Sequence, residues 1–136
     1  MPGIDECLLE AMGLPGARGA SVVEWTTGLA LGTLGASPTN DHETTAVETA
    51  ELARMAAEHT AFAPPANNGG EGGDGVKGPS VEDVLVTTPT SYHLLCFVDT
   101  TFDSSVFFHL WLDRDEGNLA LARLRLQNLA ERLVLG

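Results

Sequence analysis

The stretch SVFFHLWL, Ser105 to Leu112, decides what kind of fold this chain can have. Read as a strand, it sets Val106, Phe108, Leu110 and Leu112 on one face and Phe107, His109 and Trp111 on the other. Both faces are largely apolar, so each must be covered. A sheet with helices on both sides supplies that cover.

The neighbouring sequence fits this reading. Downstream, Leu119, Ala122, Leu126, Leu129 and Leu133 recur at helical spacing within Glu116 to Leu135, with Asp113 as the expected cap and arginines opposite. Upstream, Ser80 to Thr88 and Tyr92 to Asp99 read as two strands, punctuated by turns around Pro89 and Asp103. Nearer the start, Arg18 to Trp25 and Leu29 to Leu34 form a hairpin through Thr26, Thr27 and Gly28, where glycine suits a left-handed position. Ahead of it, IDECLLEAM is a short amphipathic helix stopped by Gly13.

Between the hairpin and the third strand, Asn40 with Glu43 predicts a helix start, and the helix runs from His42 to Phe62. Ala46, Ala50, Ala53, Ala57 and Ala61 fall on one face of it. A stripe of methyls admits a close neighbour, which is either the chain's own sheet or a second helix. The low-complexity run APPANNGGEGGDGVKGP follows, so residues 63–79 read as a flexible loop within one domain spanning 1–136.

Charge narrows the partners. Nineteen acids against seven bases among 136 residues give −12, which repels phosphate backbones and anionic lipid. Nucleic acid and membrane insertion are therefore not expected, and no apolar run reaches the ~20 residues of a membrane span. The acidic, interrupted start MPGIDECLLE does not read as a signal peptide, which points to the cytoplasm. Cys7 and Cys96 have no metal or redox spacing and read as buried thiols.

No constellation for catalysis emerges. Gly70, Gly72 and Gly75 match a dinucleotide fingerprint by letter, but no strand precedes them and Glu71 and Asp74 would repel a pyrophosphate. His93 and Cys96 point to opposite faces of a strand, and His42 and His59 lie at opposite ends of one helix. His109 reads as a packed, hydrogen-bonded histidine. Asp113, Asp115 and Glu116 belong at a helix start. Neither cofactor nor metal is expected, and Arg54 and Arg114 are each expected to pair with a neighbouring acid.

The element order αββαβββα resembles the roadblock family of dynein light chains and bacterial GTPase-associated proteins, an α/β (α+β) profilin-like fold with a five-stranded antiparallel sheet. The resemblance runs through LPGARGASVV (14–23), GLALG (28–32), AVETAELARMAA (46–57), YHLLCFVD (92–99), FFHLWL (107–112) and GNLALAR (117–123). It implies a non-catalytic homodimer joined through the third strand with the middle helices side by side, a platform that regulates or scaffolds a Ras-like small GTPase. Carried onto this chain, the dimer contacts are Ala46, Ala50, Ala53, Ala57, Val84 and Val86, and the acidic positions Glu48, Glu51 and Glu58 face the partner. The competing expectation is a small-molecule sensor of profilin-like architecture, with Trp25, Phe107 and Trp111 lining its pocket.

Overall fold

The computed structural model describes residues 3–62, 81–98 and 105–133. Its elements are α1 (Ile4–Met12), β1 (Ala17–Glu24), β2 (Leu29–Gly35), α2 (His42–Glu58), a 3-10 turn (Thr60–Phe62), β3 (Asp83–Thr87), β4 (Ser91–Val98), β5 (Val106–Asp113) and α3 (Leu119–Arg132). The loop expected over 63–79, with its glycine cluster, lies outside the described residues.

The five strands form one antiparallel sheet in the order β2-β1-β5-β4-β3. β5 is central, and its two apolar faces are covered as its sequence requires. On one side α1 and α3 bury Cys7, Leu8, Ala11, Ala122, Leu126 and Leu129 against Val22, Leu94, Val98, Phe108, Leu110 and Leu112. On the other, α2 packs on Val23, Leu95, Phe97 and Phe107. Phe107 and Phe108 are both fully buried, one on each face, each contributing roughly 1.5–3 kcal/mol.

The hairpin turns on Gly28, whose φ of 78° is the left-handed value expected of it. β1 ends at Glu24, so the connection is Trp25 to Gly28. The Glu24 carboxylate organises it, accepting from the Thr27 N–H at 2.9 Å and from the Thr27 hydroxyl at 2.7 Å, and from the Thr26 and Ser105 hydroxyls.

Three boundaries differ from the sequence reading. Asp41, and not Asn40, caps α2, accepting from the Glu43 N–H at 3.2 Å. Asn40 stands one residue earlier at φ 63°, a conformation asparagine tolerates better than most residues. Asp113 does not cap α3: its carboxylate accepts from the Glu116 N–H at 2.8 Å, closing a turn, and Asn118 caps the helix through the Leu121 N–H at 3.0 Å. α2 stops at Glu58 because burial stops there: Ala57 is the last residue of the stripe packed on the core, and Phe62 is exposed.

Candidate functional site

α2 and β3 were the elements expected to meet a second copy, and the structure divides that expectation. Ala46, Ala50 and Ala53 are 1%, 0% and 0% exposed in the single chain, packed on Val23, Leu95, Phe97 and Phe107. They leave no surface for another molecule, so as dimer contacts they are corrected to core residues. The physical reason is the sheet's own need: the α2 face of β1, β4 and β5 is apolar, and a row of methyls lets the helix axis sit close to it. Ala57 is half-buried at the edge of the same cluster.

The stripe's orientation defines the flanks of α2. Val47 lies against Gly28 of the hairpin, which places that side of the helix over β2. At 3.6 residues per turn, Thr49, Leu52 and Ala56 lie on the opposite flank, toward β4 and β3. All three are half-buried, and Leu52 packs on the cluster to which Val84 also belongs. Met55, exposed, continues this flank outward.

β3 is an edge strand, pairing only with β4 among the described residues. Val84 and Val86 stand opposite Leu95 and His93, on the face that α2 shares. Val84 is half-buried and Val86 exposed. Glu48, Glu51 and Glu58 are exposed on the outside of α2, away from the sheet.

Hydrogen bonds anchor α2 firmly. The Thr45 hydroxyl lies 2.7 Å from that of Ser37 and 2.8 Å from that of Thr39, pinning the N-terminal turn. Arg54 donates to the Trp25 carbonyl at 2.8 Å, and Arg114 to the Thr88 carbonyl at 2.9 Å while stacking over Tyr92. Among the described residues, neither bonds the neighbouring acid expected for it. Both side chains cross to another segment, which the local sequence could not reveal.

A polar aromatic cluster sits beside the α2 N-terminus. His93 Nδ1 lies 3.0 Å from His109 Nε2, Trp111 stacks beside His93 at 6.3 Å, and Arg18 covers Trp111 at 4.7 Å. His109 is buried as its sequence position suggested, and burial holds its imidazole down at about 3; burial lowers His93 as well. Both rings are therefore neutral near pH 7. The partner of His109 escaped the sequence reading because strand pairing brings two distant positions together, and spacing along the chain carries no trace of it.

Burial and hydrogen bonding shift two thiols and one carboxylate elsewhere in the fold. Burial pushes the Cys96 thiol up to about 12 and raises Cys7 too, so neither is a thiolate at neutral pH. Burial alone would raise the Glu24 carboxyl, but hydrogen bonds from Ser105, Thr26 and Thr27 hold it down at about 2. Among the described residues, no group of three or more His, Cys, Asp or Glu side chains is placed to hold a metal. Of the aromatic trio expected of a sensor, Phe107 is buried in the core, Trp25 packs at the edge of the same cluster, and Trp111 borders a void of about 10 Å³, room for one water at most. No helix among the described residues is long and apolar enough to cross a membrane.

No protein-family model and no curated protein matches the chain. Solved structures do. A Roadblock/LC7 domain from Streptomyces avermitilis superposes with a TM-score of 0.66 at 16% identity, over 96% of this chain and 94% of that one. MglB from Myxococcus xanthus superposes with a TM-score of 0.68 at 15% identity, over 94% of this chain and 82% of that one. An MglB in a tetrameric arrangement gives a TM-score of 0.68 at 19% identity, over 95% of this chain and 83% of that one. The fold is thus the roadblock fold.

Proposed function

We propose that this chain belongs to the roadblock family and works as a homodimeric, non-catalytic interaction module that regulates or scaffolds a Ras-like small GTPase. The observation that carries the reading is the pairing of an open β3 edge with the half-buried flank of α2 beside it. Leu52 and Ala57 on α2 and Val84 on β3 pack on one cluster, and the same elements carry half-buried Thr49 and Ala56 and exposed Met55 and Val86. An unpaired edge beside such a surface is suited to a second copy, with strand joining strand and helix lying along helix. A standard interface would bury about 1,600 Å² in all.

The tetrameric MglB supports self-association of this fold. The GTPase partner rests on the roadblock resemblance, and Glu48, Glu51 and Glu58 are its contact candidates because they remain exposed when the α2 flank is covered. Neutral histidines, high-pKa thiols and arginines tied to carbonyls fit a protein that shapes a partner's own loops and does no chemistry itself. Work in the cytoplasm suits such a partner.

Light scattering tests the first half: a dimer mass should persist at ~100 μM protein, and a monomer there overturns the reading. The second half is tested by retention of GTP-loaded over GDP-loaded Ras-like GTPases from the source extract on the immobilised protein. Equal retention of both nucleotide states, or of neither, counts against GTPase regulation.

A further inference from the structure

We propose that the outer edge of β2 is a strand-addition site for an extended, positively charged segment of a partner protein. β2 lies at the end of the sheet opposite β3 and pairs only with β1 among the described residues. Alternate backbone N–H and C=O groups along it therefore face outward, a template for another strand. Edge strands are ordinarily guarded by lysine, proline or an inward charge. LALGTLG, Leu29 to Gly35, has none of these; its guard is a bulge at Leu31, where the ladder passes from Val22 opposite Gly32 to Val23 opposite Ala30.

The edge has defined ends. His42 Nε2 lies 3.1 Å from the Gly35 carbonyl and closes one, and the Thr27 hydroxyl accepts from the Leu29 N–H at 3.3 Å and closes the other. Between them about five residues remain open, ~17 Å of strand. The surroundings are apolar to an unusual degree: Leu29 is 60% exposed, Leu31 38%, Val47 50% and Leu9 64%. Large exposed apolar side chains gathered around an open edge mark a binding surface.

Charge selects the occupant. α1 overhangs β2 on one side, with Ile4 and Leu8 against Gly32 and Met12 against Gly35. Leu9, three residues before Met12, and Asp5, four before Leu9, share the flank that projects beyond the edge. On the other side Val47 rests over the hairpin, and Glu43 and Glu51, four residues before and after it, lie on the same side of α2. The open edge thus runs between two ledges that carry Asp5, Glu43 and Glu51, all exposed. On the α2 side both nearby arginines are engaged, Arg54 at the Trp25 carbonyl and Arg18 over the Trp111 ring. A segment with alternating apolar residues and lysine or arginine between them meets both the apolar floor and the acidic rims. A second copy is a poor occupant, since pairing β2 with β2 would bring like rims together on two chains of −12 each. The proposal does not depend on β3, which stands at the far edge of the sheet.

The test uses the full chain and three labelled peptides about eight residues long, matched to the edge. One alternates lysine with valine, the second has glutamate for lysine, and the third is the lysine peptide N-methylated on its central lysines and valines alike so that both backbone edges are blocked. Fluorescence anisotropy should show binding of the first alone, and hydrogen exchange should show new protection within residues 29–34. The double variant Glu43→Gln, Glu51→Lys should weaken the lysine peptide about tenfold or more, with an unchanged melting curve showing that the fold is intact. Equal binding of the glutamate or N-methylated peptide, protection on β3 in place of β2, or no binding of any peptide overturns the proposal. So does protection of 29–34 that deepens with protein concentration alone, the mark of a second copy on this edge.

Discussion

Replacing Ala53 by arginine discriminates most sharply between the two possible uses of the alanine stripe. Ala53 has no exposed surface and sits among Val23, Leu95, Phe97 and Phe107. An arginine there forces a four-atom stem into filled space, at about 1–3 kcal/mol for overpacking. It also buries a guanidinium without a designed partner, and an uncompensated buried charge costs about 3–5 kcal/mol. Together these approach ~4–8 kcal/mol against a total stability of ~5–15 kcal/mol, so the variant should be largely unfolded or melt far below the parent. Ala56→Arg is the internal control, three residues on and half-buried on the flank toward β3. It should keep the fold and lose the dimer. Circular dichroism melting and size-exclusion chromatography on the same samples read both. If Ala53→Arg melts within a few degrees of the parent and instead turns a dimer into a monomer, the packing argument is wrong and the stripe belongs to an interface.

His109, held at about 3 against an ordinary 6.5, binds its proton more readily when unfolded, so stability should be complete above pH 6.5 and fall as pH drops toward 3. Urea midpoints for His109→Gln should show a flatter decline across that window, and an unchanged slope would exclude the buried neutral histidine as its cause. Glu24, held at about 2 against 4.5, is likewise favoured without its proton, here as the charged carboxylate: its contribution is present above pH 4.5 and lost as pH falls toward 2. Glu24→Gln should lower stability at neutral pH and remove that acid slope, as measured by chemical denaturation; a variant as stable as the parent at pH 7 would show that the threonine and serine hydroxyls do not stabilise the charged form. Cys7 and Cys96 are buried and raised in pKa, so thiol labelling by an aromatic disulfide at pH 8 should occur at the rate of unfolding. Labelling independent of denaturant would place at least one thiol at the surface.

Local pattern made much of the fold legible. The double apolar alternation of Val106 to Leu112 demanded a sheet covered on both faces, and the αββαβββα order follows from helical and strand periods that each segment carries within itself. Gly28 was readable for the same reason, since a left-handed turn residue answers to its own backbone sterics. Caps were legible only to within a residue or so for α2 and several residues for α3, because Asn40 and Asp41, or Asp113 and Asn118, are chemically able to do the same work and the path of the chain chooses between them. The direction of the alanine stripe was not legible at all. Ala46, Ala50 and Ala53 would suit a sheet or a second helix equally, and only the position of α2 over Val23, Leu95 and Phe107 assigns them to the core and leaves Thr49, Leu52 and Ala56 for a neighbour. The same holds for the two sheet edges and for the His93–His109 pair. β1 lies between β2 and the distant β5, so which strands end the sheet, and which histidines meet across it, are properties of long-range pairing, a choice made by the packing of the whole chain and by no residue's own periodicity.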